Sequence, residues 1–278
     1  MLYSVSVALV ISTYNRPEAL KLVLQSILHQ TALPDEVIIA DDGSDESTRK
    51  LINLWRFKLK VPLKHFWQKD DGFRKTSILN QAIEHTSCDY IIQIDGDIIM
   101  HPNFIEDHMR VREKGCYIRG SRVQLNETIS QHYIQSANPT LKFPFFSRNI
   151  KNKINMLRLP FLVVLFAKKS SRSDNVHGSN CAFWKGDFLR VNGYNNDMKG
   201  WGHEDIELAA RFINAGLQQK KVKMVAVCYH LYHTYCNRQR SGYNYSIYEE
   251  TVRSGRLTCK NGYEQIRKKV PAKIGLPV

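Results

Sequence analysis

Three groups of side chains in this sequence have the types and spacing to do chemistry. Asp95-Gly96-Asp97 follows the apolar run YIIQI, so two carboxylates stand at the end of an expected strand. The glycine between them permits close backbone approach. Two hard oxygen ligands in that position make a seat for a divalent cation that also holds a diphosphate. Asp41-Asp42, after the apolar run EVIIA, forms a second acidic turn of the same kind. The next group is Trp201-Gly202-His203-Glu204-Asp205, whose carboxylates open the helical pattern IELAARFINAG. The helix dipole there is expected to hold them ionised as proton acceptors. An indole beside a carboxylate is a sugar platform, the ring stacking on C–H faces while the carboxylate takes hydroxyl protons. Last come His230 and His233, three residues apart after a β-rich run. On an extended segment they would point to opposite faces, so joint metal ligation requires a turn. With Asp95 and Asp97 in the same chain, at least one of the two is expected to be a metal ligand.

The elements that must position these groups alternate. Residues 3–12 form a β-branched apolar run. It leads through TYNRPE into a helix whose Leu20, Val23, Leu24, Ile27 and Leu28 recur at three- and four-residue spacing, with Pro17 in the first turn. EVIIADDGS gives a second strand, Asp45 to Trp55 a helix, LKHFWQK a third strand, TSILNQAIEHT a helix and DYIIQIDGD a fourth strand. Such alternation predicts a mostly parallel sheet flanked by helices, with its ligand at the carboxyl ends of the strands, where Asp41, Asp42, Asp95 and Asp97 all fall. After Pro102 the alternation fades. Residues 125–175, interrupted by Pro139, Pro144 and Pro160, are expected to be an insertion with helical pieces ending in a flexible KKSSRS segment. From about Ser241 the chain is polar and basic, expected as a helix plus a loose end.

The 278 residues carry 40 Lys and Arg against 26 Asp and Glu, a net charge of +14. That charge is regional: −4 over residues 1–109, +11 over 110–173, +1 over 174–250 and +6 over 251–278. A basic insert and tail point to one face meeting an anionic surface or a phosphate-bearing ligand. With 43% hydrophobic residues, wholesale disorder is excluded. No uncharged apolar run is long enough for a transmembrane helix, and the apolar N-terminal segment reads as a buried strand, not a signal peptide. Six scattered cysteines without a CxxC pair fit reduced thiols in a cytoplasmic protein.

Taken in order, LVISTYNRPEAL, VIIADDGS, DGFRKTSILNQAI, IIQIDGDIIMHPNFI, NGYNNDMKGWGHEDIELAARFINAG and YHLYH resemble the inverting family 2 nucleotide-sugar glycosyltransferases of the GT-A fold. The C-terminal half is similar to the β-1,4-galactosyltransferase type. The resemblance covers about residues 3–236 apart from 125–175. It implies a Rossmann-like α/β domain over 1–240, with a nucleotide-sugar-binding half (1–109), a basic, helical insertion (125–175), an acceptor-binding and catalytic half (176–240), and a basic tail (241–278). It further implies that Thr13, Tyr14 and Arg16 cradle the nucleotide, with Tyr14 near the uracil, and that Asp41 or Asp42 contacts uracil or ribose. By the same carry-over, Lys75, with Arg74 adjacent, faces the donor phosphates and Asn80 braces that helix. Asp95 and Gly96 hold the ribose or sugar side. Asp97 binds Mn²⁺ or Mg²⁺, with His233 the first-choice further ligand and His230 the possible second. The galactosyltransferase pattern has methionine where His230 stands and glycine where His203 stands. Asp205 matches the catalytic base, Glu204 an acceptor or donor-sugar contact, and Trp201-Gly202 the acceptor platform.

The implied reaction moves a hexose or N-acetylhexosamine from a UDP-sugar to a glycan or lipid-linked acceptor in surface polysaccharide synthesis. Residues 154–169, the most apolar stretch outside the sheet and flanked by Lys151, Lys153, Lys168 and Lys169, have two readings. One is an interfacial segment on an anionic membrane surface, which would place the protein at the inner face of the cell membrane. The other is a buried helix pair or a dimer contact. A nucleotidyltransferase, or a non-catalytic polyanion- or nucleic-acid-binding protein, is the alternative function. No recognisable nucleic-acid module is present and STYNRPEAL is not a triphosphate loop.

Overall fold

The computed structural model describes residues 5–136, 138, 150–234 and 238–269. Its N-terminal part is the alternation expected: β1 (Val7–Thr13), α1 (Pro17–Leu28), β2 (Glu36–Asp41), α2 (Glu46–Arg56), β3 (Leu63–Trp67), α3 (Lys75–Glu84) and β4 (Tyr90–Asp95). Pro17 occupies the first turn of α1, and Asp45 caps α2 by accepting from the Ser47 and Thr48 N–H groups. After β4 come β5 (Ile98–Met100), α4 (Phe104–Val111), β6 (Cys116–Arg119), β7 (Val123–Leu125), α5 (Glu127–Ser136), β8 (Ile150–Lys151), α6 (Val163–Phe166) and β9 (Lys168–Ser170). The remainder is β10 (Cys181–Trp184), α7 (Lys185–Arg190), α8 (Glu204–Asn214), β11 (Gln218–Lys221), β12 (Cys228–His230), α9 (Ser241–Ser254) and α10 (Tyr263–Lys269).

Eight strands form one sheet in the order β3-β2-β1-β4-β10-β6-β11-β9, in which β3, β2, β1 and β4 are mutually parallel and β10 runs against β4. The strand order reverses between β1 and β4, and that switch point is where a doubly wound sheet opens a crevice for a ligand. Leu9, Ile11 and Ile92 pack on one face and Val10, Ile38 and Ile91 on the other, all at 0% exposure. Burying each such side chain contributes about 1.5–3 kcal/mol, which is why these strands read as unbroken apolar runs. Helix α1 is shared. Leu20, Val23, Leu24 and Ile27 face the large sheet, while Ala19 and Leu22 pack on a second, four-stranded sheet of order β5-β12-β7-β8. Leu28 is exposed instead, at the end of the helix.

Of that second sheet only β12, inside the β-rich run before His230, has a counterpart in the sequence reading, because its strands are only two or three residues long. Two expectations for the basic regions change. Lys168–Ser170, read as flexible, is strand β9, paired antiparallel with β11 at the sheet edge. The segment from Ser241 packs as structure through Lys269: Asn244 and Thr251 are fully buried, donating to the Lys199 and Gly202 carbonyls and to Glu207 respectively. Polar side chains find specific partners there, which hydropathy does not show. Residues 154–169 match neither of their two readings alone. Val163 and Ala167 pack on the core, while Ile154, Phe161 and Leu165 are exposed. Pro139 and Pro144 lie outside the described residues, as does Cys236. The five described cysteines are buried and free. No helix among the described residues is long and apolar enough to cross a membrane.

Candidate active site

A pocket of about 890 Å³ opens at the switch point. Ser12, Thr13, Tyr14, Arg16 and Asp42 line it from the β1 and β2 ends, and Lys75 from the start of α3. Asp95, Gly96 and Asp97 follow β4; Trp201 to Asp205 open α8; His230 and His233 follow β12. All three groups singled out in the sequence therefore meet in one cavity.

The short sheet assembles the first of them. In the antiparallel pairing of β12 with β5, His230 is opposite Ile98, one residue from Asp97, and the Leu231 N–H donates to the Asp97 carbonyl at 3.0 Å. Strand β12 ends at His230, and beyond it the chain brings His233 to the same side as His230. The two imidazole centroids lie 5.2 Å apart, and Nε2 of His230 and of His233 lie 3.6 and 3.5 Å from the Asp97 oxygens. One ligand atom from each of the three residues falls within 4.8 Å of the others. Asp97 Oδ1 is buried without a hydrogen-bond partner, an arrangement that a cation would satisfy. Two imidazole nitrogens and a carboxylate make a mixed nitrogen–oxygen donor set for a divalent cation. Burial holds His230 below the usual histidine value, against the opposing pull of Asp97, so the ring offers a lone pair near neutrality. Arg16, assigned to the nucleotide by resemblance, donates instead to Asp97 Oδ2 at 2.7 Å and to the Tyr232 carbonyl at 3.2 Å.

Opposite stands a buried charge cluster. Lys75 Nζ lies 2.8 Å from Asp95 and 3.8 Å from Glu204. Assigned to the donor phosphates by resemblance, it lines the pocket and is paired there with carboxylates, which keep it well above the usual lysine value despite burial. Burial works to raise Asp95, yet Lys75 and the Ser12 hydroxyl outweigh it and hold the carboxyl at about 2. Glu204 goes the other way: burial, then the Asp205 charge, push it up to about 7, with Lys75 opposing. Burial raises Asp205 as well. The expectation that the helix dipole keeps these two carboxylates ionised is therefore corrected. A dipole contribution of about 0.3–1 kcal/mol is smaller than the desolvation of a carboxylate shielded from water.

Asp205 is nonetheless held as an acceptor. Its Oδ2 takes the Gly178 N–H at 2.7 Å, and the Tyr194 hydroxyl donates to Oδ1 at 3.4 Å. Gly178 is obligatory for this contact, since a Cβ there would sit 2.6 Å from Asp205 Oδ1 and 2.8 Å from Gln93 Nε2. Helix α8 is itself fixed by Arg211, which is fully buried. It forms a two-point pair with Glu207 and donates to the Val191 and Gly193 carbonyls. His203 adopts a left-handed φ of 72°, the conformation that explains the glycine of the resembling pattern. The side chain holds it there through a 3.0 Å contact with Ser241 and an edge-on contact with Tyr245. Trp201 lines the pocket, and one face of its indole is covered by the Arg238 guanidinium at 4.8 Å.

Three of the expected donor-binding residues lie off the pocket. Asp41 is fully buried and bonded to His65 and the Ser44 N–H, so Asp42 alone of the acidic turn reaches the cavity. Asp42 is pushed up to about 6 by burial while accepting from Gln68 and the Arg74 N–H. The Arg74 side chain turns away, to the Lys69 carbonyl and Asp71. Asn80 is buried and bonded to the Tyr194 backbone and Asn196, bracing α3 against the loop that carries Tyr194. Tyr14 lines the pocket, half-exposed, with its hydroxyl on Asp70. The sequence reading passed over Arg122, His177 and Gly178, which line the pocket, and Tyr194, whose hydroxyl reaches Asp205. HGSN just before β10 and NGYN before α8 carried glycine signals that could have marked two of these.

Parallel strands, a nucleotide-scale crevice at the switch point and a carboxylate–histidine cluster define a GT-A glycosyltransferase. The glycosyl transferase family 2 model matches residues 8–167, more than half of the chain, and the protein belongs to that family. A second model, the N-terminal domain of galactosyltransferase, matches residues 146–234, which hold Asp205, His230 and His233. The chain is 26% identical over 232 residues to validoxylamine A glucosyltransferase of Streptomyces hygroscopicus subsp. limoneus, covering 76% of this chain and 48% of that protein. It is 24% identical over 243 residues to chondroitin synthase of Escherichia coli, covering 80% and 34%. It thus spans about half or less of these relatives' lengths. Among solved structures, a mannosyltransferase of Pyrobaculum calidifontis with GDP-Man and Mn²⁺ superposes with a TM-score of 0.57 at 16% identity, covering 98% of this chain and 66% of that one. GalNAc-T7 with UDP, GalNAc and Mn²⁺ gives 0.64 at 14%, covering 90% and 48%. The family match sets aside the nucleotidyltransferase alternative.

Proposed function

We propose that the protein is a metal-dependent, inverting glycosyltransferase. It moves a hexose or N-acetylhexosamine from a UDP-sugar to a hydroxyl of a glycan or lipid-linked acceptor in polysaccharide synthesis. The observation that carries this reading is the placement of Asp205 in the same pocket as the Asp97–His230–His233 cluster, together with the Lys75–Asp95 ion pair. Mn²⁺ or Mg²⁺ held by those three residues would supply positive charge to the departing diphosphate. Asp205, oriented by the Gly178 N–H, takes the proton of the acceptor hydroxyl as that oxygen bonds to the sugar C1 and the C1–phosphate oxygen bond breaks. Attack from the face opposite the leaving group inverts C1, and no covalent enzyme intermediate is required. Lys75 offsets the negative charge of Asp95 and Glu204 and opposes the rise that burial imposes on Asp205, which favours the ionised base. Ser12, Thr13, Tyr14 and Asp42 shape the nucleotide end.

Purified protein incubated with UDP-, GDP- and CMP-sugars, with and without a divalent ion, tests the donor assignment. Metal-dependent hydrolysis of a UDP-hexose or UDP-N-acetylhexosamine alone is expected. Turnover confined to a GDP- or CMP-sugar would overturn the donor, and turnover unaffected by chelation would overturn the metal.

A further inference from the structure

The register at the far edge of the large sheet aligns three cations. Lys221 of β11 is paired with Arg119 of β6 on one side and with Lys168 of β9 on the other. Directly paired residues point to the same face, so the three side chains form a row across three strands, about 10 Å from end to end. Like charges placed directly opposite one another destabilise a sheet. The next row shows how the protein relieves that cost elsewhere: Lys220 and Lys169, paired one position earlier, both contact Glu113. No such relief exists on the first row. Among the described residues, Arg119, Lys168, Lys221 and the neighbouring Lys223 form no ion pair. The carboxylate nearest in effect to Arg119 is Asp174, already paired with Arg172. Burial, together with the charges of Arg119, Lys223 and Lys168, pushes Lys221 below the usual lysine value.

The row does not stop at the sheet edge. Arg119 and Arg122 both act on His177, which burial and these two charges hold at about 4. Arg122 and His177 line the pocket, and Arg122 donates to Ser179 at 2.6 Å, one residue from the Gly178 that orients Asp205. Arg119 is paired with Cys181 of β10, three residues from Gly178, so positive charge runs from Arg122 at the pocket, past His177, to Arg119, Lys221 and Lys168.

Resting on the glycosyltransferase reading, we propose that this row is an acceptor track: it binds an acidic glycan whose terminal hydroxyl is presented to Asp205, with carboxylates along the chain meeting Arg122, Arg119, Lys221 and Lys168. The row runs across the strands at about 4.8 Å per strand, a geometry suited to an extended chain lying over it, and the unrelieved repulsion is offset when that chain is anionic.

The test compares an oligogalacturonate octamer with maltooctaose, equal in length and neutral, by calorimetry at two salt concentrations. Vesicles of phosphatidylcholine with phosphatidylglycerol form a third arm. The acidic octamer is expected to bind more tightly than the neutral one and to weaken with salt. The double variant K168Q/K221Q, which touches neither base nor metal cluster, should lose about tenfold of that affinity while hydrolysing the sugar donor at the wild-type rate. Equal affinity for the two octamers, or an unchanged K168Q/K221Q, overturns the track. Binding to the anionic vesicles but not to the octamer also overturns it, assigning the row to a lipid surface. Octamer binding without any nucleotide-sugar turnover would leave the track standing and refute the enzymatic reading instead.

Discussion

Replacing Asp205 with Asn separates base chemistry from donor binding. Asn keeps the size of the side chain and an oxygen for the Gly178 N–H, 2.7 Å away in the native protein. It cannot accept the acceptor proton. General-base catalysis is worth about 10²–10⁴-fold, or about 3–5 kcal/mol of barrier, and transfer is expected to fall by that amount. The fold should survive. Loss of the charge removes the cost of burying it but also takes one of three carboxylates from Lys75, and these opposing effects leave the net change within about 1 kcal/mol. UDP affinity, measured by quenching of tryptophan fluorescence in the presence of Mn²⁺, should change less than about twofold, a shift of about 0.4 kcal/mol. The protein contacts of Asp205 are Gly178 and Tyr194, not the Asp97 cluster. The pH profile gives a second readout. Burial raises Asp205, and the ionised form is the base, so the wild-type rate must climb with pH through a value above that of an ordinary aspartate. The climb should be missing from the residual activity of the variant. A D205N protein that transfers sugar within tenfold of wild type would refute the assignment of the base, and one that loses UDP binding would refute the division of the pocket.

The remaining predictions concern metal, charge and scaffold. His233→Ala and His230→Ala should each raise the Mn²⁺ concentration needed for half-maximal donor hydrolysis, on the order of 10-fold or more, with the melting temperature of the metal-free protein little changed; an unaltered metal titration would remove that histidine from the site. Glu204→Gln should flatten part of the pH dependence of stability. With its carboxyl at about 7 when folded and the ordinary 4.5 when unfolded, the native state binds the extra proton. Stability from this group is therefore full below pH 4.5 and is lost as pH rises to about 7, an effect of about 3 kcal/mol set by burial and then by the Asp205 charge, with Lys75 opposing. Comparing urea midpoints of wild type and Glu204→Gln at pH 5 and pH 8 checks the sign: the variant should gain relative stability at the higher pH. Arg211→Ala leaves Glu207 buried without its partner and should cost about 3–5 kcal/mol by chemical denaturation, with loss of activity following from a loosened α8.

Legibility in the sequence followed the length scale of the interaction. Strands β1, β2 and β4 were readable because a strand buried on both faces must be continuously apolar, and α1 because its buried residues repeat with the helical turn. Asp97, Asp205, His230 and His233 were readable as chemistry at the ends of those elements. What brings His230 to Asp97 was not, since the β5–β12 pairing is three residues long and too short for any periodicity. Asp41, Asp42 and Arg74 show the same limit. Side chains adjacent in sequence at a strand end or helix start point to different places, and only Asp42 faces the cavity while Asp41 meets His65.

The basic character of the chain was legible only as a sum by segment. Its structural meaning depends on register. Lys168 and Lys169 are neighbours in a run that reads as flexible and solvated, yet strand pairing sends them to opposite faces. Lys169 meets Glu113 and is neutralised, while Lys168 joins Lys221 and Arg119 with no ion pair among the described residues. A shift of one residue in the β9–β11 pairing would exchange the two, because side chains alternate with period two. The charge row is thus fixed by the same hydrogen bonds that close the sheet edge, and a Ser170→Pro substitution, which deletes the N–H at the position paired with Gln219, should weaken octamer binding through strand geometry with every lysine still present.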